Sequence, residues 1–338
     1  MESIDFVIPW VDGRDLEWKA EKKRYEFNAD DNTDKREERY RDWDILQYWF
    51  RGVEKFAPWV HRVYFITCGH VPSWLNLDAP KLVHVKHMDY MPEDYLPTFS
   101  SHPIELNIHR IRDLSEHIVY FNDDMFITRP ILPDLFFKNG LPVHPARLHS
   151  IMPEAYDTVM PHVYINNVAS INRHFSIKKS LRNNFSKWFS LRKSGIAAII
   201  GNFYLSHHRQ FIGFYHEHLP SPFLKTTLQT VWEKEFTLLD STSKHRFRDM
   251  RDVNQWLFRY WELASGNFEP VRYQKLGEYY EILPDTSPFC SAIRLQKYPM
   301  ICLNDTGHIS SPQEFERVQQ DIANAFEKIL PEKSSFEK

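Results

Sequence analysis

Two adjacent carboxylates follow an apolar run near the middle of the sequence. Residues 118–121 (Ile-Val-Tyr-Phe) are β-branched or aromatic, as in a buried strand, and they lead directly into Asn122, Asp123 and Asp124. Paired carboxylates at the end of a buried strand are costly unless their charge is compensated, and a divalent metal ion is a common compensator. Asn-Asp-Asp is equally an ordinary turn composition. By itself, the stretch predicts either a metal site or a simple turn.

A second strand near the end of the chain follows the same pattern. Residues 299–303 form a short apolar run that delivers Asn304 and Asp305. Two strands that each end in Asn-Asp are hard to explain as unrelated turns. We therefore expect Asp124 and Asp305 to converge on one cation, with Asp123 and Glu105 close behind them.

The elements that would position these residues alternate between strand and helix patterns. Strands are predicted at residues 4–9, 63–67, 82–85 and 118–121, with helices between several of them, which is typical of a mainly parallel α/β sheet. The first strand breaks at the turn Asp12-Gly13, where many nucleotide-binding α/β domains hold their ligand. No G-x-G-x-x-G follows this strand, so the dinucleotide fingerprint is absent.

Apolar residues at helical spacing predict an amphipathic helix over residues 45–56. Arg51 lies opposite the apolar stripe, facing either solvent or an active-site cleft. Residues 178–192 predict a cationic helix, which is either a solvated face or a lid or acceptor-facing surface. A capping box at residues 311–314 predicts a C-terminal helix.

Two further segments place histidines near helices. Residues 104–112 predict a helix on which Glu105 and His109 share one face, as a surface pair or a weak metal pair. Ser221-Pro222 predicts the start of another helix, with a serine N-cap and proline at the first position. His218 would then lie just before a helix N-terminus, where a phosphate is favourable.

Composition narrows the class of protein. A net charge of −3 over 338 residues is not the overall positive charge that is typical of proteins that bind nucleic acid. Three widely spaced cysteines without a C-x-x-C predict neither a cysteine metal site nor a disulfide scaffold, and indicate a reducing compartment. No secretory leader or membrane-spanning stretch is evident in the sequence. We expect a cytoplasmic protein, with peripheral association at the inner face of the membrane as a further possibility.

In order along the chain, these motifs resemble the signature regions of the Stealth family of sugar-1-phosphate transferases. The first region corresponds to residues 4–15 (IDFVIPWVDGRD), and the second runs through residues 41–44, 46–60, 71–76, 96–100, 104–105 and 120–124. Residues 218–220 and 248–252 resemble the third signature region, and residues 302–305 (CLND) resemble the fourth. Residues 140–205, where the family varies, carry no motif.

The resemblance implies a fold and a domain layout. The fold would be a Rossmann-like, glycosyltransferase-A-like core with a mainly parallel sheet and a helical insertion. Residues 1–310 would form a single catalytic domain, with a nucleotide-sugar-binding half (1–135), a variable helical insertion (136–210) and a second catalytic half (211–310). Residues 311–338 would form a C-terminal helix and tail.

The resemblance also implies an activity. The enzyme would move a hexose-1-phosphate, typically N-acetylhexosamine-1-phosphate, from a UDP-sugar to a hydroxyl of an oligosaccharide or polysaccharide acceptor. The product would be a phosphodiester in a bacterial capsule or exopolysaccharide, and UMP would leave.

Attack at phosphorus places negative charge on phosphoryl oxygens, so the reaction needs positioned positive charge. Mg²⁺, with Mn²⁺ or Ca²⁺ as alternatives, is the expected cofactor, and Asp123, Asp124 and Asp305 are the expected ligands. Arg248 is the expected phosphate clamp, because its planar guanidinium can bind two oxygens at once.

The general base has three candidates: His218, Asp124 and Glu105. His218 could instead donate to a phosphoryl oxygen. The nucleotide-sugar contacts are expected at Trp10, Asp12, Arg51 and Asn122, through aromatic stacking and turn amides.

Other functions fit the same residues. A metal-dependent glycosyltransferase would attack the anomeric carbon and release UDP, and a phosphoesterase would use water as its acceptor. A non-catalytic carbohydrate-binding protein is suggested by the ten tryptophans.

Overall fold

The structure is a computed structural model that describes residues 2–27, 33–34, 36–152, 158–216 and 218–338. Within these residues the strands are β1 Ile4–Pro9, β2 Thr33–Asp34, β3 Val63–Thr67, β4 Leu82–Lys86, β5 His117–Tyr120, β6 Met125–Ile127, β7 Phe137–Lys138, β8 Leu141–His144, β9 Ser221–Leu224, β10 Arg248–Asp249, β11 Glu269–Pro270, β12 Glu278–Glu281 and β13 Met300–Asn304. The helices are α1 Leu16–Glu26, α2 Leu46–Phe56, α3 His87–Tyr90, α4 Ser101–Leu106, α5 Val159–His174, α6 Ile177–Asn183, α7 Phe185–Trp188, α8 Leu191–Ser194, α9 Ile196–Leu205, α10 Lys225–Lys234, α11 Phe236–Ser243, α12 Trp256–Ser265, α13 Ser287–Arg294 and α14 Pro312–Ile329.

A five-stranded sheet in the order β4-β3-β1-β5-β9 forms the centre of the fold. Four of its strands run parallel, and β9 joins β5 antiparallel at one edge. Along β1, Phe6 and Ile8 enter one hydrophobic cluster while Val7 enters the other, because successive side chains of a strand point to opposite faces. Both faces are therefore covered, which explains why β1 and β3 are apolar along almost their whole length. The predicted mixed α/β fold with a mainly parallel sheet is confirmed.

A second sheet, in the order β12-β13-β6, meets the first at residues 122–124. Its strand β6 continues directly from β5 and pairs antiparallel with β13, with Cys302 opposite Met125. The backbone N–H of Leu303 donates to the carbonyl of Asp124 at 2.8 Å. The Asn-Asp-Asp turn is thus fixed at the junction of the two sheets.

Most predicted elements are confirmed, including the four strands, α2 and the capped helix α14. The Ser311 hydroxyl caps α14 by accepting from the N–H of Glu314 at 3.1 Å. The helical character of the insertion is also confirmed, since α5 to α9 follow one another there. The division into catalytic halves stays a prediction.

One predicted helix start is wrong. Ser221 and Pro222 lie in β9, and the helix begins at Lys225. Pro222 pairs with Val119 in β9, which is an edge strand of the sheet. A missing N–H costs little there, because no further strand of this sheet pairs with the outer side of β9. His218 consequently precedes a strand and not a helix N-terminus.

Three other helices differ in their bounds from the prediction. The segment at 104–112 consists of α4 and a short 3-10 turn, Ile108–Arg110, so His109 leaves the face of Glu105 and packs on Trp232. The cationic segment at 178–192 is divided into α6, α7 and α8. The sequence also predicts a helix over roughly residues 250–263, and the structure begins this helix at Trp256. In the charged run at 17–42, residues 28–32 and 35 lie outside the described residues.

The C-terminal tail is held against α2 by Arg51. Its guanidinium binds both carboxylate oxygens of Glu337 at 2.9 Å and donates to the carbonyl of Leu330 at 2.9 Å and to Glu327 at 3.1 Å. The side chains of Arg51 and Glu337 are 11% and 5% exposed. Arg51 therefore attaches the C-terminal tail to α2, and its guanidinium is not available for the nucleotide contact predicted for it. No helix in the described part of the chain is long and apolar enough to cross a membrane.

Replacing Arg51 by methionine should destabilise the fold by about 2–4 kcal/mol, because Glu337 would lose its cationic partner in an enclosed position and keep only the hydrogen bonds from Ser334 among the described residues. Urea denaturation of both proteins measures the difference. The matched control is Arg317→Met, which removes an exposed pair with Asp321 and should cost less than ~1 kcal/mol. Equal costs for the two variants would contradict the assignment of Arg51 to the tail.

Candidate active site

The turn at residues 122–124 is in direct contact with His218. The His218 Nε2 atom lies 3.2 Å from Asp124 Oδ2 and 3.2 Å from Asn122 Nδ2. In one tautomer Nε2 cannot both accept from the Asn122 amide and donate to the Asp124 carboxylate. A cation shared by Asp124 and His218 would use a lone pair of each and remove this conflict.

Asp124 is also left with an unsatisfied buried oxygen. Its Oδ1 atom has no hydrogen-bond partner among the described residues. Ligand atoms of Asp124, His218 and Cys302 all lie within 4.8 Å of one another. An orphaned carboxylate oxygen beside an imidazole and a thiol fits a divalent metal ion, so these three residues form a candidate metal site.

Cys302 is the member of this set that the sequence analysis missed. It lies in β13, directly across from the strand that follows Asp124. Burial and, next, the charge of Asp124 raise the pKa of its thiol well above the usual value. The thiol is thus protonated, and Asp124 is the only oxygen donor of the three, the ligand type that Mg²⁺ prefers.

Asp123 lies beside two other carboxylates. Burial and, next, the charges of Asp124 and Asp42 raise the pKa of Asp123 to about 7, while Arg248 acts in the opposite direction. Asp123 is nevertheless exposed to solvent. Two arginines compensate part of the charge of the three carboxylates: Arg248 acts on Asp123, and Arg14 pairs with Asp42 at 3.5 Å. A cation would compensate the charge that remains.

Asp305 is near this turn in the backbone, but its side chain is bound elsewhere. Its carboxylate accepts from the Trp43 indole at 3.1 Å and from the Gly307 N–H at 3.0 Å, and it pairs with Arg41 at 3.4 Å. Asp123 and Asp305, both predicted as ligands, do not fall within the set of ligand atoms around Asp124. The second Asn-Asp strand end was correctly expected to approach the first, and its carboxylate is already neutralised by Arg41.

Arg248 approaches the cleft from β10. Its guanidinium donates to the Ser101 hydroxyl at 3.0 Å, and its charge lowers the pKa of Asp123. Arg248 also influences the pKa of Tyr40 and Arg39, so its charge lies near these side chains as well. This position suits the phosphate contact predicted for it.

The segment that carries Arg248 is fixed by a His–Asp–His cluster. Asp252 is fully buried and binds His102 Nδ1 at 2.7 Å and His245 Nδ1 at 2.6 Å. It also accepts from the backbone N–H of Asp249 at 2.9 Å. This cluster ties the loop of Arg248 to α4, and local sequence patterns do not reveal it because His102 and Asp252 are 150 residues apart.

Glu105 is enclosed in the protein. It is 3% exposed, and its Oε1 accepts from the backbone N–H of Gln255 at 3.0 Å. Burial raises the pKa of this carboxyl group. The structure thus places Glu105 as a support for the start of α12, and not at the cleft as the general base or metal ligand predicted from the sequence.

The predicted nucleotide contacts have different surroundings. Trp10 is 7% exposed and packs on Phe65 and His70, so its ring faces are taken up by the core. Asp12 lies three residues after β1 and shapes the turn: its N–H donates to His70 Nε2 at 2.8 Å, and its carboxylate accepts from the N–H of Arg14. Of the four predicted residues, only Asn122 lies in direct contact with His218.

A cavity of about 610 Å³ opens beside Asp42. Gly13 lines this cavity at a point where its backbone packs closely on Tyr40. A Cβ atom at residue 13 would lie 1.9 Å from the Tyr40 carbonyl oxygen, so only glycine fits there. The lining of the cavity has five cations (Arg14, Lys19, Lys22, Lys23 and Arg41) against three carboxylates (Glu26, Asp42 and Glu316), and it includes the aromatic rings of Trp18, Tyr40 and Phe315. Such a lining suits an anionic ligand that also has flat apolar surfaces.

Two family models match the chain. Stealth protein conserved region 1 covers residues 2–30, and Stealth protein conserved region 2 covers residues 39–143. Asp12, Glu105 and the Asn-Asp-Asp turn lie within these regions, whereas His218, Arg248 and Asp305 lie beyond them.

Full-length relatives agree with these matches. A capsular polysaccharide phosphotransferase, WcwK, of Streptococcus pneumoniae is 43% identical over 100% of this chain and 99% of its own length. The receptor polysaccharide phosphotransferase WefC of Streptococcus gordonii is 44% identical with the same coverage. The exopolysaccharide phosphotransferase cps2G of Lactiplantibacillus plantarum is 39% identical over 99% of this chain and 96% of its own length.

Solved structures show only distant likeness. The galactosyltransferase LgtC, in complex with donor and acceptor sugar analogues, matches 95% of each chain with a TM-score of 0.37 and 8% identity. The bifunctional glycosyltransferase WbbM matches 97% of this chain and 52% of its own with a TM-score of 0.35 and 10% identity. From the relatives and the two conserved regions, the chain belongs to the Stealth family.

The His–Asp–His cluster should make stability depend on pH. The hydrogen bond to Asp252 raises the pKa of His245 above its usual 6.5, against the effect of burial. The folded state thus holds this proton more tightly, so the stabilisation is complete below the unfolded pKa and is lost as pH rises through the folded pKa. Between about pH 6 and 9, the wild-type Tm should fall more steeply than that of His245→Gln.

The control is His207→Gln, since His207 is exposed and, among the described residues, contacts Phe203 and Tyr204 but forms no ion pair. Its Tm profile should run parallel to that of the wild type. If the His245→Gln profile does so as well, the cluster does not hold the proton.

Proposed function

We propose that this chain transfers a hexose-1-phosphate from a UDP-sugar to a saccharide hydroxyl during synthesis of a bacterial capsule or exopolysaccharide. The names of its full-length relatives support the coarser statement, that it is a polysaccharide phosphotransferase. The observation that carries the chemistry is Asp124, which has one orphaned buried oxygen and another 3.2 Å from His218.

In the proposed reaction the acceptor hydroxyl oxygen attacks the phosphorus that bears the sugar. The bond between this phosphorus and the oxygen bridging it to UMP breaks, the hydroxyl proton leaves, and the products are a phosphodiester and UMP. Negative charge spreads over the phosphoryl oxygens, so catalysis consists mainly of positioning and charge compensation.

His218 is the proposed general base for the acceptor hydroxyl. An imidazole can accept the proton of a hydroxyl group, and the Asp124 carboxylate lies 3.2 Å from His218 Nε2. Glu105 is a weaker candidate, because it is enclosed and bound to Gln255. Asn122 would orient the His218 ring through the contact at Nε2.

Arg248 is the proposed clamp on the phosphates, held in place by Ser101 and by the His102–Asp252–His245 cluster. The cations of the 610 Å³ cavity beside Asp42 suit the diphosphate of the donor. Aromatic rings in the same lining suit the nucleobase or sugar faces.

A divalent metal ion, when bound, would neutralise phosphoryl oxygens and the acidic turn. Asp124 would hold it together with substrate phosphates, which is a common arrangement for Mg²⁺ or Mn²⁺. His218 and Cys302 border the same position. A cytoplasmic location, where nucleotide-sugar donors are made, is part of this proposal.

Mn²⁺ binding tests the metal without any turnover. Titration followed by electron paramagnetic resonance should show at least ~10-fold weaker binding for Asp124→Asn, because a ligand is lost. Cys302→Ser should bind nearly as the wild type does, because Mn²⁺ prefers oxygen ligands to a thiol. Asp134→Asn, on an exposed side chain, is the control. Unchanged Mn²⁺ affinity in Asp124→Asn would exclude this residue as the ligand.

The reaction is tested by the nucleotide it releases. Given UDP-N-acetylhexosamine and a capsular oligosaccharide, the enzyme should form UMP and a phosphodiester product in equal amounts. Asp124→Ala, His218→Ala and Arg248→Ala should each lower turnover by at least ~10²-fold, as expected for groups that meet transition-state charge. Asp134→Ala should retain full activity.

Release of UDP would identify a glycosyltransferase, and UMP without acceptor dependence would identify a phosphoesterase. Binding of polysaccharide without donor consumption would identify a carbohydrate-binding protein. Each outcome contradicts the proposal.

A further inference from the structure

Helix α9 presents an uncovered apolar face. Ile196, Ile200, Phe203 and Tyr204 are 67%, 63%, 64% and 73% exposed. Their spacing of four, three and one residues places them on one side of the helix. Large apolar side chains grouped in this way are a feature of interaction surfaces.

The opposite side of α9 is firmly attached to the protein. Ala198, Asn202 and Leu205 are buried there. The Asn202 amide accepts from the N–H of Leu148 at 2.7 Å and donates to the carbonyls of Ala146 and Trp188 at 2.8 and 2.9 Å. The three hydrogen bonds of this buried amide fix the rotation of the helix about its axis, so its apolar face points toward solvent.

The surrounding segment is strongly cationic. Residues 158–216 contain no aspartate or glutamate, although the whole chain carries a net charge of −3. The Lys and Arg residues of the segment are Arg173, Lys178, Lys179, Arg182, Lys187, Arg192, Lys193 and Arg209. Among them Lys178, Lys179, Arg182, Arg192 and Arg209 are exposed and form no ion pair within the described residues.

We propose that this surface docks on a bilayer of anionic phospholipid, with α9 lying in the plane of the interface. The docking face is defined as Ile196, Ile200, Phe203 and Tyr204 together with the five unpaired cations. Its apolar side chains would enter the acyl boundary while the cations meet the lipid phosphates. A helix of ten residues can lie on a membrane but cannot span it.

Charge argues against a second copy of the chain as the occupant. A twofold contact places the same patch on both subunits, so two acid-free cationic segments would face each other. A soluble polysaccharide acceptor would match the cations, but it would gain little from isoleucine and phenylalanine. An anionic bilayer complements both parts of the docking face at once.

Vesicle flotation of the intact protein tests the inference without any substrate, so its result is independent of the proposed reaction. The protein should float with vesicles of phosphatidylcholine and phosphatidylglycerol but not with phosphatidylcholine alone, and added salt should weaken binding. Phe203→Ser/Tyr204→Ser and Lys178→Glu/Lys179→Glu should each weaken binding at least ~10-fold.

The control is Leu132→Ser/Leu295→Ser, which removes two equally exposed apolar side chains elsewhere and should bind as the wild type does. Circular dichroism checks that each variant is folded. If a variant is unfolded, the salt dependence of wild-type binding still tests the proposal. Absence of flotation, equal flotation with neutral vesicles, or full binding by both docking-face variants would overturn the proposal. So would a dimer that the Phe203→Ser/Tyr204→Ser variant dissociates, or capture of soluble anionic polysaccharide without lipid binding.

Discussion

The organisation of this protein depends on negative charge concentrated where its two sheets meet. Strand β5 passes into β6 through Asp123 and Asp124, and β13 fixes the turn through the hydrogen bond from Leu303 to the Asp124 carbonyl. Asp42 adds a third carboxylate, which helps to raise the pKa of Asp123 to about 7. Like charges this close repel one another and oppose folding, although Arg14 and Arg248 compensate part of the charge. The divalent ion of the proposed function would compensate the rest.

Local sequence patterns predicted much of the fold. The central strands are apolar because both faces of the sheet are covered, and α2 and α14 carry apolar stripes with clear ends. Ser221-Pro222 was misassigned because serine followed by proline is equally suited to a helix start and to an edge strand. Only the pairing of Pro222 with Val119, which is a long-range contact, decides between them.

Sequence patterns point to the central residues of the candidate site but not to the residues around them. Asp124, His218 and Arg248 lie around one cleft, as their chemistry suggested, although His218 and Arg248 fall outside the matched conserved regions. Arg51, Glu105 and Asp305 carry equally suitable groups, but each is bound to a neighbour that is distant in sequence. Cys302 and the His102–Asp252–His245 cluster escaped notice because nothing in their local sequence distinguishes them. A residue type shows what a side chain can do, whereas its partners decide what remains free to act.

The most direct test of the central claim is anomalous diffraction from crystals grown with Mn²⁺ and a non-reactive UDP-sugar analogue. The account predicts a manganese peak at ligand distance from Asp124, with the diphosphate of the analogue between that peak and Arg248. A peak bound elsewhere, or an Asp124 carboxylate satisfied by protein groups with the diphosphate distant from it, would contradict the account.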